Sequence, residues 1–189
     1  MRARTGTAIA IATGAATVAV VLALSGESSS TPATRPAAEG TELGTRGARE
    51  DCSTRSEASF PGAFTSPDNL VVGPLVLVGG AYTDARTVRE FGGNKFPLLV
   101  KAGHTVTVRL AGHERSAGLA YGPLPQGQTR LRDTYQSVTF VACRTRLRVT
   151  FWSGFVLTRA PACIPLDVYV DGATAPRRVG LALGRRCRQ

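Results

Sequence analysis

The sequence predicts an all-β fold, a small antiparallel β-sandwich with at most one short helix. Three observations carry this. From Leu70 onward the apolar runs are strand-length, and Thr105–Leu110 and Ile164–Val170 alternate with period two. Glycine and proline, 21 and 11 of 189 residues, punctuate the runs. One stretch alone carries helix signals, and neither β-α alternation nor an internal repeat is present.

Ser53–Asn69 reads as a loop marked by Pro61, Gly62 and Pro67. Leu70–Val78 is apolar enough for a buried strand, broken or begun at Gly73-Pro74 and ended by Gly79-Gly80. Thr83-Asp84 offers an N-cap, Val88 and Phe91 lie three apart, and Gly92 suits a C-terminal stop, so one short helix is expected here. Phe96–Val100 and Thr105–Leu110 are expected to pair as a hairpin through Lys101-Ala102-Gly103-His104. Gly118–Tyr121 is a short run before the Pro- and Gly-rich loop Gly122–Gln128. Val138–Ala142 and Leu147–Phe151 read as strands around a polar CRTR segment, and Phe151–Leu157 bends at Ser153-Gly154. In Ile164–Val170, Leu166, Val168 and Val170 share one face, while Asp167, Tyr169 and Asp171 share the other. The two aspartates lie about 13 Å apart by strand rise, too far to share a proton, and are expected as solvated charges. Asp171-Gly172 signals a turn, and Val179–Leu183 is the last strand before Arg185-Arg186-Cys187-Arg188.

The domain is expected at residues 52–189, a length that can bury one core. Ahead of it, Ala8–Leu24 is apolar, free of ionisable side chains and preceded by Arg2 and Arg4. Residues 1–25 therefore read as a signal peptide, cut after the small-residue pattern Ala23-Leu24-Ser25, or as a single transmembrane anchor, an N-terminal hydrophobic helix. A span needs roughly 20 apolar residues, and Thr5–Gly26 just reaches that. Both readings stay open, and both put the N-terminus in the cytoplasm. Leu24-Ser25-Gly26 resembles the start of a lipobox, but Glu27 stands where the lipidated cysteine is required. Residues 26–51, rich in Ser, Thr, Pro, Ala and Gly, are expected as a flexible, disordered linker.

Either reading of the leader exports the four cysteines, Cys52, Cys143, Cys163 and Cys187. An even count in an exported domain reads as two disulfides, with three pairings open in principle. The expected pairing is nested: Cys143 with Cys163, closing a loop around FWSGF, and Cys52 with Cys187, stapling the ends. The spacings of 91, 20 and 24 residues contain no CxxC pair, which argues against zinc and against a redox motif.

The net charge is +10, and from Asp51 onward 18 basic residues face 9 acidic ones. Only Lys95 and Lys101 are lysines, an arginine bias that a GC-rich genome explains. A basic surface favours anionic partners such as head groups or envelope polymers, and generic solubilising charge is the plainer account. Nucleic acid is not expected, since no stacking motif accompanies the charge and the domain is exported. Arg144, Arg146 and Arg148 alternate, so a strand would project all three from one face as an anion-binding strip, extended by Arg130 and Arg132. The plainer account is a charged edge that discourages sheet-to-sheet association.

Catalytic signals are weak. No phosphate loop, HExxH or dinucleotide fingerprint occurs, and Ser153 in FWSGF lacks the glycine of a nucleophile elbow. His104 and His113 are the only histidines, with Glu114 beside the second, and they read as surface residues. A blue-copper site needs a methionine near the chain end, and the only methionine is Met1. No metal, cofactor or catalytic residue is assigned. Trp152 with Phe151 and Phe155 reads as core packing, with an exposed recognition cluster as the alternative.

VTFVAC, then TFWSGFVLTRAPACIPLDVYVDG and a closing LGRRC, resembles an uncharacterised group of exported proteins from high-GC Gram-positive bacteria. The resemblance covers roughly Cys52 to Cys187 and is most specific from Val138 onward. It implies a small extracytoplasmic domain and carries no activity. The expected function is a non-enzymatic domain, secreted or anchored to the plasma membrane, that binds an anionic envelope component or another protein. The alternative is a hydrolase-like enzyme with a loop-borne site.

Overall fold

A computed structural model of the chain describes residues 47–112, 116–122, 130–144 and 148–188. The leader and most of the expected linker lie outside the described residues. Among the described residues no helix is long and apolar enough to cross a membrane.

In chain order the elements are β1 Gly47–Glu50, β2 Leu70–Val72, β3 Leu75–Leu77, α1 Ala85–Phe91, β4 Gly93–Lys95, β5 Leu98–Lys101 and β6 Thr105–Leu110. They continue with β7 Ala117–Ala120, a single 3-10 turn at Leu131–Asp133, β8 Ser137–Val141, β9 Val149–Trp152, β10 Phe155–Thr158, β11 Ala162–Val170 and β12 Arg177–Leu183. The strands form a five-stranded sheet β1-β8-β6-β11-β12, a four-stranded sheet β2-β3-β5-β9 and a three-stranded sheet β4-β10-β7. The described residues are mostly β, and their strands pair antiparallel except where β1 joins β8 in parallel. All three sheets feed one core, in which Phe96, Phe140, Trp152, Leu119, Leu166 and Leu181 are fully buried.

The helix forms where its caps predict. The Asp84 carboxylate accepts from the Arg86 and Thr87 amides, and Gly92 ends the helix in the left-handed region. The expected hairpin between Phe96–Val100 and Thr105–Leu110 does not form. β5 pairs with β3 and β9, whereas β6 pairs with β8 and β11. The Lys101–His104 turn carries the chain from one sheet to the other. Burial explains this. Leu98, Leu99 and Val100 are all buried, because Leu98 and Val100 enter the main core and Leu99 joins Val76 and Ala63 in a second cluster on the sheet's other face. β6 alternates, with only Val106, Val108 and Leu110 buried. The loop Ser53–Asn69 covers the second cluster, and the Phe60 ring stands edge-on to Phe151 at 4.9 Å.

Gly47–Glu50, expected within the linker, is a strand. Its sequence GARE has no strand pattern, so main-chain pairing and a crosslink must hold it. The crosslink follows at once. Glu50 lies opposite Phe140 in the parallel pair, so both strands leave the sheet on the same side, and Cys52 meets Cys143 with Cα atoms 5.2 Å apart. The second disulfide joins Cys163 to Cys187, Cα atoms 5.1 Å apart. The nested pairing is thereby overturned. Val141 lies opposite Thr105 and Leu166 opposite Leu110, so Cys143 and Cys163 sit beyond opposite ends of β6. Five steps of about 3.4 Å make that separation about 17 Å, against the roughly 4.4–6.8 Å a disulfide spans. Two disulfides fit an oxidising compartment. Peptide mapping without reductant should recover Cys52–Cys143 and Cys163–Cys187; a Cys143–Cys163 peptide would contradict the strand order.

Glu50 is buried, 2% exposed, at the end of β1, and its Oε1 has no hydrogen-bond partner among the described residues. Burial pushes its pKa up from the ordinary 4.5, a hydrogen bond from Thr54 opposes the shift, and Asp51 adds to it. The native state therefore holds this proton more tightly than the unfolded chain. Glu50 favours folding below about pH 4.5, and that contribution is lost as pH rises through the raised native value. Asp51, Asp84 and Asp171, all shifted down, act in the opposite sense. Glu50→Gln should hold its melting temperature better than the parent between pH 4 and pH 7, by calorimetry at matched salt; parallel curves would refute the assignment.

Candidate functional site

β11 turns Leu166 and Val168 into the core and Asp167 to the opposite face. Across the ladder Asp167 lies opposite Arg109 on β6 and Arg178 on β12. Arg109 Nη2 donates to Oδ2 at 3.1 Å, and Arg178 Nε donates to Oδ1 at 3.2 Å. Arg109 also donates to the Tyr169 hydroxyl, with its guanidinium 5.0 Å from the centre of that ring. The Asp167 side chain is left only 5% exposed. This corrects the expectation of a solvated charge: the outward face of a central strand is not open when long arginine stems close over it.

The tail beyond β12 lies on the same face. Cys163 pairs with Ala182 across the β11–β12 ladder, and the chain after β12 folds back so that Cys187 reaches it. The sulfurs lie over Gly180. A Cβ there would stand 2.4 Å from Cys187 Sγ and 2.9 Å from Cys163 Sγ, so no larger residue fits. The disulfide brings Arg186 and Arg188, which flank Cys187, to the side of Arg178. Together with Leu70, Pro165 and Gly180 they line a cleft of about 770 Å³. The Arg186 guanidinium lies 5.5 Å from the centre of the Tyr82 ring. Arg177, Arg178, Arg185, Arg186 and Arg188 are all exposed. Asp167 pairs with Arg178, whereas no carboxylate among the described residues pairs with the other four. Forked guanidinium donors that lack an internal partner suit phosphate or carboxylate groups.

The strip expected from Arg144, Arg146 and Arg148 falls between two strands, on a stretch that lies partly outside the described residues. β8 ends at Val141 and β9 begins at Val149, so Arg144 and Arg148 are exposed residues outside the ladders. Arg146 lies outside the described residues. Arg132 faces Asp133 at 3.9 Å. The basic tail is visible in the sequence but the cleft is not, because the cleft depends on the cysteine pairing and on the β11–β12 register.

His104 sits in the turn before β6, where its Nδ1 meets Asp171 Oδ2 at 2.8 Å. Asp171 Oδ1 accepts the Thr105 amide at 2.9 Å, and this bond, followed by that from His104, holds the carboxyl below the usual range. The imidazole is oriented, but the two side chains are 39% and 49% exposed. Among the described residues no group of three or more His, Cys, Asp and Glu could hold a metal. His113 and Glu114 lie outside them. Trp152 is buried against Phe140 and donates to the Asp51 carbonyl, Phe151 packs on Phe60, and Phe155 is exposed, so the three aromatics do not form one cluster. Compared with known proteins, the chain finds no significant match to a family model, a curated protein or a solved structure.

Asp167→Ala should lower stability by about 1–3 kcal/mol in urea melts, less than a fully enclosed pair because both guanidiniums can turn to water. The same change should tighten binding of anions to the cleft, since it removes the nearest negative charge. A variant of unchanged stability would mean that the two arginines do not depend on this carboxylate.

Proposed function

We propose that this chain is an extracytoplasmic, non-enzymatic binding domain that holds an anionic component of the cell envelope in the arginine cleft. The observation that carries this reading is the position of Arg186 and Arg188. A disulfide pins them beside Arg178, and no carboxylate among the described residues neutralises them. The shared core supports reading the sheets as a small sandwich, with the five-stranded sheet as one layer and the four- and three-stranded sheets as the other. Two disulfides and the apolar leader support a location outside the cytoplasm, secreted or held at the membrane by residues 1–25. No cofactor is invoked. The enzymatic alternative draws on the His104–Asp171 pair, an oriented base. Its exposure and the lack of a nucleophile among its hydrogen-bond partners in the described residues weigh against it.

Inorganic polyphosphate of defined length is a suitable soluble probe. The full chain should bind it with an affinity that falls steeply as salt rises. Arg186→Ala with Arg188→Ala should weaken binding at least tenfold, and Cys163→Ser with Cys187→Ser should do nearly the same by releasing the tail. Binding that ignores salt, or that survives both double variants, would refute the cleft as the site.

A further inference from the structure

A second surface, made of other residues, has a different chemistry. β10 alternates, so Val156 and Thr158 enter the interior while Phe155 and Leu157 face out. In register, Phe155 lies between Lys95 on β4 and Ala120 on β7, and Leu157 lies between Gly93 and Gly118. The flanking residues are mostly small, so the two apolar side chains floor an open trough. α1 lies along β4 and supplies a wall through Thr87 and Phe91. Gly93 lets β4 lie close against β10, since a Cβ there would stand 2.3 Å from the Val156 carbonyl oxygen.

The trough encloses about 450 Å³, within the roughly 300–1,000 Å³ of small-molecule sites. Phe91 and Phe155 are 69% and 46% exposed, and they are two of only four large apolar side chains left exposed among the described residues. Single exposed phenylalanines are ordinary, but two on one cavity mark a surface kept for a ligand. The polar groups narrow its chemistry. Asn94 Nδ2 is already engaged with the Thr83 hydroxyl. Lys95 is exposed, lines the trough and pairs with no carboxylate among the described residues. A neutral apolar ligand would leave that ammonium unused, and a cationic one would be repelled by it.

We infer that the α1–β4–β10 trough is a binding site for a single-chain amphiphile with one anionic head, its chain lying on Phe155, Leu157 and Phe91 and its head on Lys95. Decanoate, decanol and decyltrimethylammonium, each below its micelle threshold, separate the contributions in calorimetric titrations of the full chain. Decanoate should bind at least five-fold more tightly than decanol, with the ammonium weakest. Lys95→Gln should abolish the preference for decanoate and leave decanol unchanged, while Phe155→Ser should weaken both. These side chains are exposed, and a thermal melt checks that each variant folds. Arg186→Ala with Arg188→Ala should leave decanoate binding intact. Equal affinities for the three probes, or binding indifferent to Phe155→Ser, would overturn the inference. So would loss of decanoate binding in the arginine variant, which would move the head group to the other cleft.

Discussion

The register of β11 between β6 and β12 is the constraint on which the rest depends. Leu166 and Val168 must face the core, so Asp167 must face away. A slip of one residue would invert every side chain and drive the carboxylate into the apolar interior, at a cost of several kcal/mol. Two arginines, one on each neighbouring strand, hold the correct register from outside. The same register sets Cys163 opposite Ala182 and leaves Gly180 under the disulfide. The position of the basic tail is thus a consequence of how one strand pairs.

The disulfides act at opposite ends of the large sheet. In the chain-entropy model, closures of 91 and 24 residues contribute about 4.6 and about 3.4 kcal/mol. Cys52–Cys143 retains a strand that its own sequence would not hold. GARE offers four residues, one neighbour and a buried acid with an unpartnered oxygen. Cys163–Cys187 retains a tail of exposed arginines whose mutual repulsion would otherwise carry it from the surface. Each crosslink secures a segment that the hydrophobic effect alone would leave loose.

What the sequence made legible was local. The alternation of β6 and β11, the caps of α1, the bend at Ser153-Gly154 and the even cysteine count each reside in a few adjacent residues. What it did not make legible was pairing. The continuous Leu98-Leu99-Val100 run against the alternating Thr105–Leu110 hinted that the two strands lie in different environments, yet the short turn between them suggested a hairpin. β1 carried no signal because its partner supplies its order. The disulfide connectivity followed from strand order, which spacing does not encode. Asp167 looked solvated because alternation identifies a face and says nothing of which side chains cover it.

The distribution of charge bears on whether the arginines are more than solubilising. Residues 51–100 hold four basic and five acidic side chains, whereas residues 101–189 hold fourteen basic and four acidic ones. The basic excess is thus concentrated in the second half of the domain. Five arginines and no acid fall within residues 177–188, where self-repulsion should weaken the closing strand and its tail. A crosslink holds them in place rather than letting them disperse. Keeping the tail against the sheet brings Arg186 and Arg188 beside Arg178 in one cleft, and an anion seated there would relieve the repulsion among these three.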